Sequence, residues 1–160
     1  MKNSILIACC LISFASQAQF EDTKWIGSGS FNYNSSLDLL FLSPSAGLPT
    51  TSDRVWSINP FIFTDFDEVD GWGIALRTDK YRTFEEDWPI YFVSGWSFAY
   101  RDLATAQFEV AYRPGLAVIL KDKWLLTTRF FSGAIGYDTE AEGVILDFGT
   151  GGEVSFAYMF

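Results

Sequence analysis

The residues able to do chemistry are acids and arginines, because none of the 160 residues is a histidine. Without imidazole there is no Ser-His-Asp nucleophile, no imidazole proton shuttle and no histidine-ligated metal. Asp65, Asp67, Glu68 and Asp70 lie close enough in sequence to serve as general acid and base or to bind Ca²⁺. Their spacing is not that of an EF-hand, and no glycine holds its central turn position, so a self-solvating acidic turn is the plainer reading. The chain is therefore read as no enzyme, with no catalytic residue, no cofactor and no metal site.

A second set of charges has a pattern. Arg77, Asp79, Glu109, Arg113, Arg129, Asp147 and Glu153 each occupy the face of an alternating segment opposite a series of Trp, Phe, Leu and Val. If those segments curl into a narrow barrel, the seven residues meet in its lumen, where an unpaired charge would cost several kcal/mol. An ionic network is the expectation, serving mainly as structural filling. A narrow polar or ion path and a recognition site at one mouth are the alternatives.

The elements that must position these charges are strands, since the recurring period after residue 18 is two. Eight are expected, roughly over 25–34, 37–43, 54–63, 71–79, 89–100, 106–120, 124–137 and 144–160. Residues 44–53 read as a connection, as do the acidic 65–71 and the polar 80–88. Pro60 sits awkwardly in its strand, because proline removes a ladder donor. Along 124–137, Trp124, Leu126, Thr128, Phe130 and Ala134 are assigned to one face, with Leu125, Thr127, Arg129, Phe131 and Ile135 on the other. In the last strand Val154, Phe156, Tyr158 and Phe160 keep one phase to the final residue.

Composition sets the surroundings. Hydrophobic residues make up 49% and aromatics 18%, which suits one packed domain and excludes disorder. Eleven Lys and Arg against 20 Asp and Glu leave a net charge of -9, the wrong sign for a nucleic-acid partner. Lys2, the apolar stretch Ile5 to Phe14 and the small residues Ser16 and Ala18 form a secretory signal, with cleavage expected after Ala18 and a domain over 19–160. The stretch is shorter than the roughly 20 residues a spanning helix needs. Cys9 and Cys10 would leave with it; Leu6-Ile7-Ala8-Cys9 has the outline of a lipobox, but apolar sequence continues past Cys9.

Backbone groups in hydrocarbon must be satisfied internally, so a β protein spans a membrane only as a closed barrel, apolar outside and polar within. The alternation fits that rule, and large aromatics such as Trp25, Trp72, Trp124 and Tyr158 fall near strand ends, where bilayer girdles lie. The fold expected is all-β: a single closed antiparallel transmembrane barrel of eight strands. A secreted water-soluble barrel, such as a lipocalin-like carrier, would reverse the phase.

At this point the sequence resembles the small outer-membrane β-barrel proteins of Gram-negative envelopes, in particular the porin-like "outer membrane protein beta-barrel" family of Bacteroidota. The residues that carry the resemblance are Trp25-Ile26-Gly27-Ser28-Gly29, Ser57-Ile58-Asn59-Pro60, Pro114-Gly115-Leu116-Ala117 with Lys121-Asp122-Lys123, and Val154 through Phe160. The chain departs from the family over 64–106, which is compressed where members often place a further strand. The resemblance implies residence in the cell outer membrane, contact with its lipids, and a C-terminal signal (Val154, Phe156, Tyr158, Phe160) read by the barrel-assembly machinery. It supplies no ligand. A structural or envelope-integrity role is the expected function, beside a small polar-solute or ion channel and a surface ligand-binding or adhesion barrel.

Overall fold

A computed structural model of the chain describes residues 20, 23–34, 39–65, 69–84, 88–102, 105–120, 123–149 and 152–160. The expected signal over 1–18, with Cys9 and Cys10, lies outside the described residues, as do Asp67 and Glu68. Ten strand segments follow in order: β1 (Ile26–Asn34), β2 (Leu39–Thr51), β3 (Arg54–Thr64), β4 (Val69–Thr83), β5 (Ile90–Asp102), β6 (Ala106–Leu120), β7 (Trp124–Arg129), β8 (Ser132–Asp138), β9 (Gly143–Gly149) and β10 (Glu153–Met159).

These segments make eight passes of wall. β7 and β8 both pair with β6, over Gly115–Leu120 and Gln107–Tyr112, and so form one interrupted pass. β9 pairs with β8 and β10 with β7, making the eighth. The ring closes where β10 meets β1, from Ile26 opposite Met159 to Phe31 opposite Val154. The protein is a closed antiparallel eight-stranded barrel, as the alternation led us to expect.

Side chains on one phase fill the interior while those on the other cover the outside. In β4, Ala75, Arg77, Asp79 and Tyr81 are buried, whereas Trp72, Ile74 and Leu76 are exposed. The interior is layered. One apolar cluster gathers Phe20, Ile26, Val55, Tyr81, Val93, Leu125 and Met159 at the end of the barrel where β1 begins and β10 ends. A second joins Phe61, Ala75 and Ala99 to Phe41 and Phe63.

Three expectations need correction. β2 runs through the residues read as a connection and contains Pro44 and Pro49. The register that pairs Leu42 with Ile62 and Ala46 with Ile58 sets Pro44 opposite Pro60, where neither has an N–H to give. Ser43 Oγ donates to the Pro60 carbonyl at 3.0 Å instead, so the strands stay together across two prolines. β4 reaches Thr83, into the segment read as a polar connection, and with β5 it occupies the compressed middle. Finally, the face assignment inverts after Arg129: Phe130 and Phe131 both point outward, after which Ala134 is buried and Ile135 exposed. One extra residue in that pass shifts its register on β6, from Gly115 opposite Arg129 to Tyr112 opposite Gly133.

Candidate functional site: the lumen ionic network

Five segments each deliver charge to the middle of the lumen. Arg77 and Asp79 come from β4, Arg101 from β5, Glu109 and Arg113 from β6, Arg129 from β7 and Glu153 from β10. Glu153 is the hub. Arg77 Nη1 lies 2.7 Å from its Oε1, Arg113 Nη1 3.3 Å from its Oε2, and Arg129 Nε 3.9 Å from Oε1. Arg113 Nη2 continues to Glu109 Oε1 at 3.2 Å, and Glu109 also pairs with Arg101. Arg129 Nη2 donates to Asp79 Oδ2 at 2.8 Å and its Nη1 to the Arg113 carbonyl at 2.9 Å.

Four guanidiniums thus share three carboxylates, and the bond to the Arg113 carbonyl takes up part of the excess donor capacity. Arg77, Arg129 and Glu153 are only 5–6% exposed, a depth at which charge is sustained only by such pairing. Two glycines make the space. A Cβ on Gly95 would collide with Asp79 Oδ1 and stand 2.8 Å from Arg129 Nη1. One on Gly115 would meet the Thr128 carbonyl and lie 3.1 Å from Arg129 Cγ.

Six of the seven charges expected in the lumen are brought together. The seventh, Asp147, shares their phase but sits on β9, whose partner among the described residues is β8, and is exposed. Arg101 was missed because it follows the last aromatic of its segment. Its signal was legible: it continues the inward phase of Ser97 and Ala99. Of the acidic turn, Asp70 is exposed. Phe156 and Phe160 point outward, and Phe160 stacks on Trp25 at 3.7 Å while its backbone N–H donates to the Trp25 carbonyl at 2.9 Å.

Two smaller polar groups brace the turns. Asp53, in the β2–β3 turn, accepts from Thr51 Oγ1 at 2.7 Å and pairs with Lys80 Nζ at 3.1 Å. Burial pushes its carboxyl up, but Thr51 and the Lys80 ammonium outweigh this and hold it below its ordinary 3.8. Asp138, at the β8–β9 turn, accepts from the backbone N–H groups of Glu140 and Ala141 and from Thr105 Oγ1 and Gln107 Nε2.

No protein-family model and no curated protein matches the chain. Among solved structures, the N-terminal β-barrel domain of Pseudomonas aeruginosa OprF is similar, with a TM-score of 0.62 over 86% of this chain and 98% of that one. At 10% sequence identity the likeness is one of fold.

Proposed function

We propose that this protein is an integral outer-membrane barrel with a structural role in the envelope, its lumen closed by ion pairs. The observation that carries this reading is the inverted polarity. Arg77, Arg129 and Glu153 are buried while Trp72, Phe98, Phe108 and Ile135 are exposed, an arrangement that suits hydrocarbon outside and is costly in water. A lipocalin-like carrier would need an apolar interior instead. Eight strands leave an interior just wide enough for side chains to fill. Here ion pairs link β4, β6, β7 and β10 across the lumen, which favours a closed barrel over a pore. The resembled family and the C-terminal aromatic phase support the same location.

Cell fractionation and bilayer recording test it together. The chain should sediment with outer membranes, resist urea extraction, migrate faster on gels before boiling than after, and give no discrete openings in planar bilayers. Recovery in the soluble fraction would defeat the membrane reading. Steady openings with normal membrane recovery would replace the structural role with a channel.

A further inference from the structure

The charges that face the lumen do not balance. Among the described residues Arg77, Arg101, Arg113 and Arg129 stand against Asp79, Glu109 and Glu153, an excess of one cation. Charged groups nearer the ends of the barrel do not offset it. Asp53 and Lys80 pair with each other, and Asp138 stands about 20 Å along β6 from Arg113, where the donors already described satisfy it. Arg101 pairs with Glu109 and Arg129 with Asp79, so the excess rests on Arg77 and Arg113, which share Glu153. At the depth of Arg77 an uncompensated charge is costly unless a counter-charge lies within reach.

A cavity of about 40 Å³ adjoins these arginines inside the barrel. Arg77, Asp79 and Arg129 form one side of it. The other side is a wall of hydroxyls on β1, β2, β3 and β10, where Ser28 stands opposite Ser45. Nε of Arg77 and Nε of Arg129 have no hydrogen-bond partner, and both side chains are more than nine-tenths buried. Ser57 Oγ accepts from Asn59 Nδ2 at 3.0 Å, which leaves its own hydrogen to give. Ile26, Val55 and Leu125 line the cavity as well and belong to the first apolar cluster, which closes it on that side.

Water alone would satisfy the Nε donors but leave the charge in place. A halide accepts from guanidinium and hydroxyl donors alike and cancels the charge. Asp79 Oδ1, also unpartnered and on the cavity wall, would repel a bare anion. The volume admits about three water-sized particles, so a water fits between the two and gives one hydrogen to each.

We propose that the cavity between Arg77, Arg129 and the hydroxyl wall binds one small monovalent anion, chloride being the type, as the counter-charge of the lumen network. This rests on the closed-lumen reading above. Arg77 supplies the charge, the serines supply neutral donors, and the apolar layer beside them keeps bulk water from competing.

The full chain, refolded into phosphatidylcholine vesicles, is unfolded in urea at constant ionic strength with sodium chloride exchanged for sodium gluconate, whose anion is too large for the cavity. Stability should rise with chloride, the folding constant growing about tenfold for each tenfold of chloride once the site is near saturation. Bromide should substitute, and crystals grown in bromide should show one anomalous peak beside Arg77 and Ser57. Arg77→Gln leaves three arginines against three carboxylates and should remove the chloride dependence while heat-modifiable migration persists. Ser57→Ala keeps the charge and should shift the dependence severalfold toward higher chloride. Arg54→Gln, which removes an exposed cation, should leave it unchanged. If Arg77→Gln does not fold, Ser57→Ala and the bromide peak decide. Equal stability in chloride and gluconate, a chloride dependence that survives Arg77→Gln, or bromide peaks confined to the outer surface, an adventitious ion only, would each overturn the site with the barrel intact. Chloride-carried openings in planar bilayers would instead overturn the closed-lumen reading.

Discussion

Glu153 ties together Arg77, Arg113 and Arg129, so its removal takes a partner from more arginines than loss of Glu109 or Asp79 would. Breaking a buried pair from one side costs about 3–5 kcal/mol, because the remaining charge keeps its desolvation penalty. Glu153→Ala should lose about that much in urea unfolding from vesicles. Replacing Arg77 and Glu153 together by methionines should cost less than the two single changes summed. Asp53, in the β2–β3 turn, offers a pH test. Its folded-state pKa is depressed, so its contribution is fully present above the ordinary 3.8 and is lost as pH falls through the lowered value. Asp53→Asn should therefore flatten the acid limb of the unfolding curve and leave its shape near neutrality unchanged, as urea midpoints across that range would reveal.

At the scale of elements, alternation was legible wherever hydrogen bonding was regular, because a strand buried on one face repeats every two residues. The same rule misled where the backbone gained a residue. Nothing in the letters Phe130-Phe131 distinguishes an uninterrupted strand from a bulge that turns both rings outward and flips Ala134 and Ile135. β2 was half missed because Pro, Ser and Gly usually mark a turn. Here the Ser43 hydroxyl makes up for a missing proline donor, an exchange visible only once β3 lies alongside. The strand expected over 144–160 is divided into β9 and β10, but the phase of β10 was legible, and it seals the ring by main-chain bonds to β1. Deleting 154–160 should leave protease-sensitive protein without heat-modifiable migration. Phe160→Asp, which replaces the ring packed on Trp25 and Tyr158 with a carboxylate, should reduce folded yield partway. Undiminished folding after the deletion would mean that closure does not depend on this strand.

At the scale of the molecule, what could be read in advance was topology and polarity, both of which are properties of pattern. The ionic network was legible as a set of inward charges, but not as a hub with spokes, since partner choice depends on shear and depth around the ring. Asp147 illustrates the limit. Its phase matches Glu153, yet it stands exposed on the β8–β9 hairpin, and no local signal separates the two. The position of Glu153 has a temporal meaning as well. Its partners on β4, β6 and β7 all precede it in the chain, and the residue that neutralises them is supplied by the segment that also completes the wall. A nascent barrel that has received all but its final strand therefore holds four arginines against two carboxylates, Asp79 and Glu109, and leaves Arg77 without its partner beside an open slot. Sealing the seam and pairing Arg77 become one step, so the strand that closes the wall also completes the ionic network.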